Sequence, residues 1–66
     1  MQYYVKNKVQ HFRIKAEMTQ EHLAEKVGVS RQTIIAIEKG NYTPSVLLAL
    51  KLAHTFKISV EDIFSL

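Results

Sequence analysis

Residues 20–40 read QEHLAEKVGVSRQTIIAIEKG, and the fold turns on this stretch. Two short helices are read in it, near residues 20 to 27 and 31 to 39, separated only by Gly28, Val29 and Ser30. A joint of that length forces the helices to cross steeply. The crossing needs a small side chain on one helix against apolar ones on the other, and Ala24 faces a stripe of Ile34 and Ile37. Gly28 and Gly40 each follow an apolar-periodic segment, where a residue in the left-handed conformation ends the helix.

Along the chain a helix-start signature occurs four times: a capping residue with one apolar residue before it and another four after it. The sets are Met18, Thr19, Leu23; Val29, Ser30, Ile34; Tyr42, Thr43, Leu47; and Ile58, Ser59, Ile63, the last with Asp62 completing a capping box. In the third set Pro44 takes the first helical position, which its fixed φ suits. The sequence therefore predicts five helices, near residues 6 to 16, 20 to 27, 31 to 39, 44 to 56 and 60 to 64. Gln2 to Val5 is β-prone and is read as a short N-terminal arm or strand.

The chain has 66 residues, 47% of them hydrophobic, which makes 1–66 a single domain. A chain this short buries only about 60% of the surface its unfolded form exposes, so its stability is small. With no Cys, and three His at no metal-ligand spacing, neither disulfides nor a metal reinforce it, and no cofactor is expected. Gly occurs only at 28 and 40, so there is no glycine-rich phosphate loop. Glu61 and Asp62 stand at a helix start where capping is the natural role, and His11, His22 and His54 have no activating partner, so no catalytic residue and no enzyme are expected. The longest apolar run, Val46 to Leu50, ends at Lys51 and is far short of a membrane span, while Met1 to Val5 is too polar for an export signal. The expectation is a cytoplasmic protein with no membrane partner and no pocket for a small-molecule effector.

The formal charge is +3, and Lys6, Lys8, Arg13 and Lys15 give the first sixteen residues four positive charges and no negative one. With Gln20 opening one helix, Ala24 four on, Gly28 eight on, Ile34 and Ile37 inward, and Glu38, Lys39 and Gly40 closing the next, the stretch resembles the helix-turn-helix of the Cro/CI-like (Xre) transcriptional regulators. Arg13, Thr19 to Ala24, Gly28 to Arg31, Thr43 to Ser45 and Val60 to Phe64 look like further family positions, so the resemblance spans nearly the whole chain. His22 departs from it where Glu is frequent, and Ile35 where a polar residue is usual. The resemblance implies an all-α, compact five-helix, lambda-repressor-like domain that binds double-stranded DNA as a regulator of transcription, expected to be a repressor.

If Ile34 and Ile37 face inward, Arg31, Gln32, Ile35, Ala36 and Lys39 lie outward. Arg offers a fork for guanine, Gln pairs with adenine, and Ile35 or Ala36 can touch a thymine methyl, so Arg31, Gln32, Ile35 and Ala36 are the candidate base readers. Gln20, Ser30, Thr33, Asn41, Tyr42 and Ser45 are candidate phosphate contacts through hydrogen bonds, and Lys39 through its charge. Lys6 and Lys15 add long-range attraction.

Arg13 and Glu38 occupy positions that would otherwise belong to apolar stripes, and the resemblance implies a structural ion pair between them. In the fourth helix Val46, Ala49, Leu50, Ala53 and Phe56 complete one inward stripe, which leaves Leu47, Leu48 and Leu52 over. Some of these leucines can pack under the fifth helix or the N-terminal arm; alternatively Leu48 and Leu52, with Ile58, Val60, Phe64 and Leu66, form a candidate dimer interface, and a homodimer is expected because similar regulators associate near their C-terminal helix. Two reading helices about 34 Å apart would then meet an inverted repeat. The rival role is an antitoxin-like module that binds a partner protein. The disordered or amphipathic tail expected of that role is not found among these residues.

Overall fold

The computed structural model describes residues 4–66. Its elements run β1 (Lys6–Asn7), α1 (Val9–Lys15), α2 (Gln20–Val27), α3 (Arg31–Glu38), α4 (Val46–Phe56), α5 (Val60–Ile63) and β2 (Phe64–Ser65). The five helices among the described residues enclose one core, and β1 pairs with β2 as an antiparallel two-stranded sheet, Lys6 opposite Ser65 and Asn7 opposite Phe64. The Lys8 N–H donates to the Ile63 carbonyl at 2.8 Å, which continues that tie.

The N-terminal strand lies further along than the sequence suggested. Tyr4 and Val5 are outside it, Gln2 lies outside the described residues with Tyr3, and the strand occupies Lys6 and Asn7, inside the range that the sequence predicts for the first helix. Asn7 sets the change of direction, because its Oδ1 accepts the Val9 N–H at 3.1 Å and α1 can begin only there. The fifth helix likewise stops at Ile63, since Phe64 is already extended and paired.

Three of the four expected helix starts are seen. The side-chain oxygens of Thr19, Ser30 and Ser59 accept the N–H of His22, Thr33 and Asp62, and Asp62 completes the capping box. The third start is corrected. Ser45, not Thr43, caps α4 by accepting the Leu48 N–H at 3.1 Å, so Pro44 precedes the cap and the helix begins at Val46. Tyr42 and Leu47 are accordingly no staple across the start but exposed residues lining one groove.

The first four helices all end alike. After each, one residue in the left-handed conformation directs its own N–H and that of its successor back to the last turn, which is the Schellman arrangement. Gly28 (φ 74°) and Gly40 (φ 81°) fill this position after α2 and α3, and Glu17 (φ 58°) and Lys57 (φ 59°) after α1 and α4. The bonds are Met18 N–H to Arg13, Val29 to Ala24, Asn41 to Ala36 and Ile58 to Ala53, all near 3 Å.

Val9, Leu23, Ala24, Val27, Ile34, Ile37, Leu48, Leu52, Ala53 and Ile63 form the core, with Phe12 and Phe56 packed against it, their rings 6.0 Å apart. The stripe assigned to α4 is turned by one position. Leu48, Ala49, Leu52 and Ala53 point inward, whereas Val46 (76% exposed), Leu47 (63%) and Leu50 (53%) face solvent.

Candidate nucleic-acid interface

The interface is built around α3. Burial of Ile34 and Ile37 fixes the rotation of this helix, so that Arg31 and Gln32 on its first turn are exposed. Neither side chain makes a hydrogen bond or ion pair among the described residues. Ile35 and Ala36, read as outward, are half-buried and sit at the border of the exposed face. Lys39, Asn41 and Tyr42 are exposed beyond the helix end.

Two clefts flank this helix. One is lined by Arg13, Thr19, Gln20, Glu21 and Arg31, so the first turns of α2 and α3 meet there. Gln20 Nε2 donates to Glu38 Oε1 at 3.1 Å, and a carboxamide nitrogen carries a second hydrogen that stays available to an outside acceptor. The Glu21 carboxylate in the same cleft opposes an anion, while Arg31 attracts one. The other cleft brings Thr33, Tyr42 and Ser45 together beside Gly28, Leu47 and Lys51. Ser30 lies outside both; its hydroxyl caps α3 and bonds the Thr33 hydroxyl at 3.1 Å. Lys51 was missed by sequence reasoning, although a lone cation interrupting an apolar helix was the available signal. Its Nζ stands 3.9 Å from where a Cβ on Gly28 would be.

The far end of α3 is held from two sides. Arg13 reaches Glu38 through Nε to Oε2 at 2.7 Å and Nη2 to Oε1 at 3.2 Å, and its Nη1 donates to the Met18 carbonyl at 2.8 Å. The two side chains are 12% and 5% exposed, so this is a nearly buried two-point pair. On the other side Asn7 Nδ2 donates to the Ile37 carbonyl at 2.8 Å. Asn7 was also missed. An Asn just ahead of an apolar run is ordinary capping chemistry, but nothing local points it at a helix thirty residues on.

The residues assigned to the dimer interface separate. Leu48 and Leu52 lie inside the protomer's own core and have no surface to offer, which removes them from it. Ile58, Val60 and Phe64 are half-buried against the core edge, and Leu66 is exposed. Among the described residues no three His, Cys, Asp or Glu side chains group as metal ligands, and no helix is long and apolar enough to cross a membrane.

A family model described as helix-turn-helix matches residues 9–63. The chain is 58% identical over 60 residues to an uncharacterized HTH-type transcriptional regulator of Methanocaldococcus jannaschii, with 91% of each protein covered. Among solved structures it resembles the SOS-response transcriptional repressor LexA of Eubacterium rectale, with TM-score 0.78 and 33% identity over 82% of this chain and 57% of that one. It also resembles the restriction-modification controller protein C.AhdI of Aeromonas hydrophila, with TM-score 0.76 and 28% identity over 82% of each.

Proposed function

Because this chain belongs to the Cro/CI-like (Xre) helix-turn-helix family of DNA-binding transcriptional regulators, we propose that it represses transcription by binding an inverted-repeat operator as a homodimer, each protomer acting as one module. The observation that carries this reading is the first turn of α3, where Arg31 and Gln32 are exposed without partners among the described residues while the opposite face is locked in the core. In the major groove Arg31 forks onto guanine O6 and N7 and Gln32 pairs with adenine, with Ile35 and Ala36 offering methyl contact at the border of the face.

Phosphates on either side occupy the two clefts. Gln20 serves one strand, and Thr33, Tyr42 and Ser45 serve the other, helped by Lys51 and by the exposed Lys39 and Asn41. Ser30 contributes at the start of α3, where its cap already orders the backbone N–H groups. The second protomer joins through Ile58, Val60, Phe64 and Leu66 near the chain end. The repressor reading draws on the resemblance to LexA, which bears that description.

Selection of binding sites from random duplex DNA tests the proposal. The expected result is a two-fold symmetric motif with half-sites about 10 base pairs apart. A single unsymmetrical half-site would defeat the homodimer, and no enrichment would defeat DNA reading by α3.

A further inference from the structure

We infer that Asn7 is a positioning residue for DNA recognition: its carboxamide fixes the C-terminal end of α3 against the terminal sheet and so sets the angle at which Arg31 meets the bases. This rests on the reading of α3 given above. One carboxamide holds three elements together. Its backbone lies in β1 opposite Phe64, its Oδ1 accepts the Val9 N–H of α1, and its Nδ2 donates to the Ile37 carbonyl of α3. That carbonyl also accepts the Gly40 N–H at 2.9 Å, so Asn7 grips the turn that ends the helix.

The lever is short but sufficient. Arg31 and Ile37 are six residues apart, about 9 Å along the axis, and a tilt of about 6° about the Ile37 end moves Arg31 by about 1 Å. Two-point hydrogen bonding to a base edge tolerates roughly half of that. Glu38, the next residue, is tied to Arg13 on α1, so the carboxylate and the preceding carbonyl are both anchored to the N-terminal part of the chain. Loss of the Asn7 bond leaves the polar hold on this end to Glu38 alone, through Arg13 and Gln20; with Ile34 and Ile37 still packed, the helix keeps its place but not its exact tilt.

Two substitutions separate positioning from stability. Asn7→Asp keeps an acceptor for the Val9 N–H but loses the donor to Ile37, and Asn7→Ser removes that donor without adding charge. Both are compared with the unaltered chain at a temperature where circular dichroism shows full folding. For both, affinity for the selected operator is expected to fall by at least about fivefold, the loss of one impaired base contact. For Asn7→Ser, affinity for unrelated duplex is expected to stay within twofold. Amide exchange of the free protein should quicken at Gly40 and Asn41 while core amides keep their protection. A folded Asn7→Ser protein with an unchanged ratio of operator to unrelated affinity, or with both falling by one factor, would overturn the inference. If the unaltered chain shows no operator preference, the DNA reading itself fails. The amide exchange then still decides whether the clamp exists, since unchanged exchange at Gly40 and Asn41 refutes it.

Discussion

Replacing Arg13 by Met should destabilise the protein by about 3 to 5 kcal/mol, the cost of leaving one member of a buried ion pair without the other. The Glu38 carboxylate is 5% exposed and accepts three hydrogen bonds, two from Arg13 and one from Gln20. Without Arg13 it stays almost dry, with one neutral donor left, and the Met18 carbonyl loses its guanidinium partner as well. A chain of this size holds roughly 3 to 10 kcal/mol in total, so the single change removes a third of the stability or more and lowers Tm by more than about 10 °C. The double change Arg13→Met with Glu38→Leu should return to within about 1 kcal/mol of the starting protein, because apolar groups of similar volume replace both charges at once. The chain has no Trp, so urea unfolding is best followed by the helical circular dichroism signal. If Arg13→Met costs less than about 1 kcal/mol, or if the double variant is as unstable as the single one, the description of the pair as nearly desolvated and mutually dependent is wrong.

Three further outcomes are expected. Arg31→Ala should weaken operator binding by about 1 to 3 kcal/mol and relax the preference at one base pair, which competition with single-base operator variants measures. Lys39→Ala should instead weaken all duplexes alike and lower the slope of log affinity against log salt by about one; a loss confined to one sequence would contradict its phosphate role. Lys57→Gly should raise stability by about 0.5 to 1 kcal/mol and Tm by roughly 2 to 8 °C, since Lys57 holds φ 59° after α4, where a side chain is strained. A lower Tm would show that the Lys57 side chain contributes more than its backbone strain costs.

The parts of the fold legible in the sequence are those in which the controlling contact is local. Thr19, Ser30 and Ser59 cap helices three residues away, and Gly28 and Gly40 end them within one turn, so α2, α3 and their joint could be read residue by residue. Where two local solutions compete, reading fails: Thr43 and Ser45 are both good caps, and Pro44 is acceptable inside the helix after one or outside it before the other. Helix α4 fails for a related reason. Val46, Leu47, Leu48, Ala49 and Leu50 are apolar all round, so periodicity cannot choose the buried face, and only the completed core selects Leu48, Leu52 and Ala53. Glu17 and Lys57 carry no glycine signal, although they do the same work as Gly28 and Gly40. In the proposed interface, the exposure of Arg31 and Gln32 follows from helix phase, but Asn7 and Lys51 come near α3 only through packing between distant segments.

The polar ties that hold α3 are unevenly distributed, and the asymmetry bears on the proposed reading of DNA by this helix. Its C-terminal end is held by Arg13 and Gln20 on Glu38, by Asn7 on the Ile37 carbonyl, and by the turn through Gly40. At its N-terminal end the hydrogen bonds are those of the Ser30 cap, directed along the helix rather than across to another element. A helix clamped at one end and capped at the other keeps Arg31 and Gln32 uncommitted while its axis stays fixed, and under the proposed function only rotamer adjustments then separate them from a base edge. The end left uncommitted is also the one whose N–H groups and dipole attract phosphate.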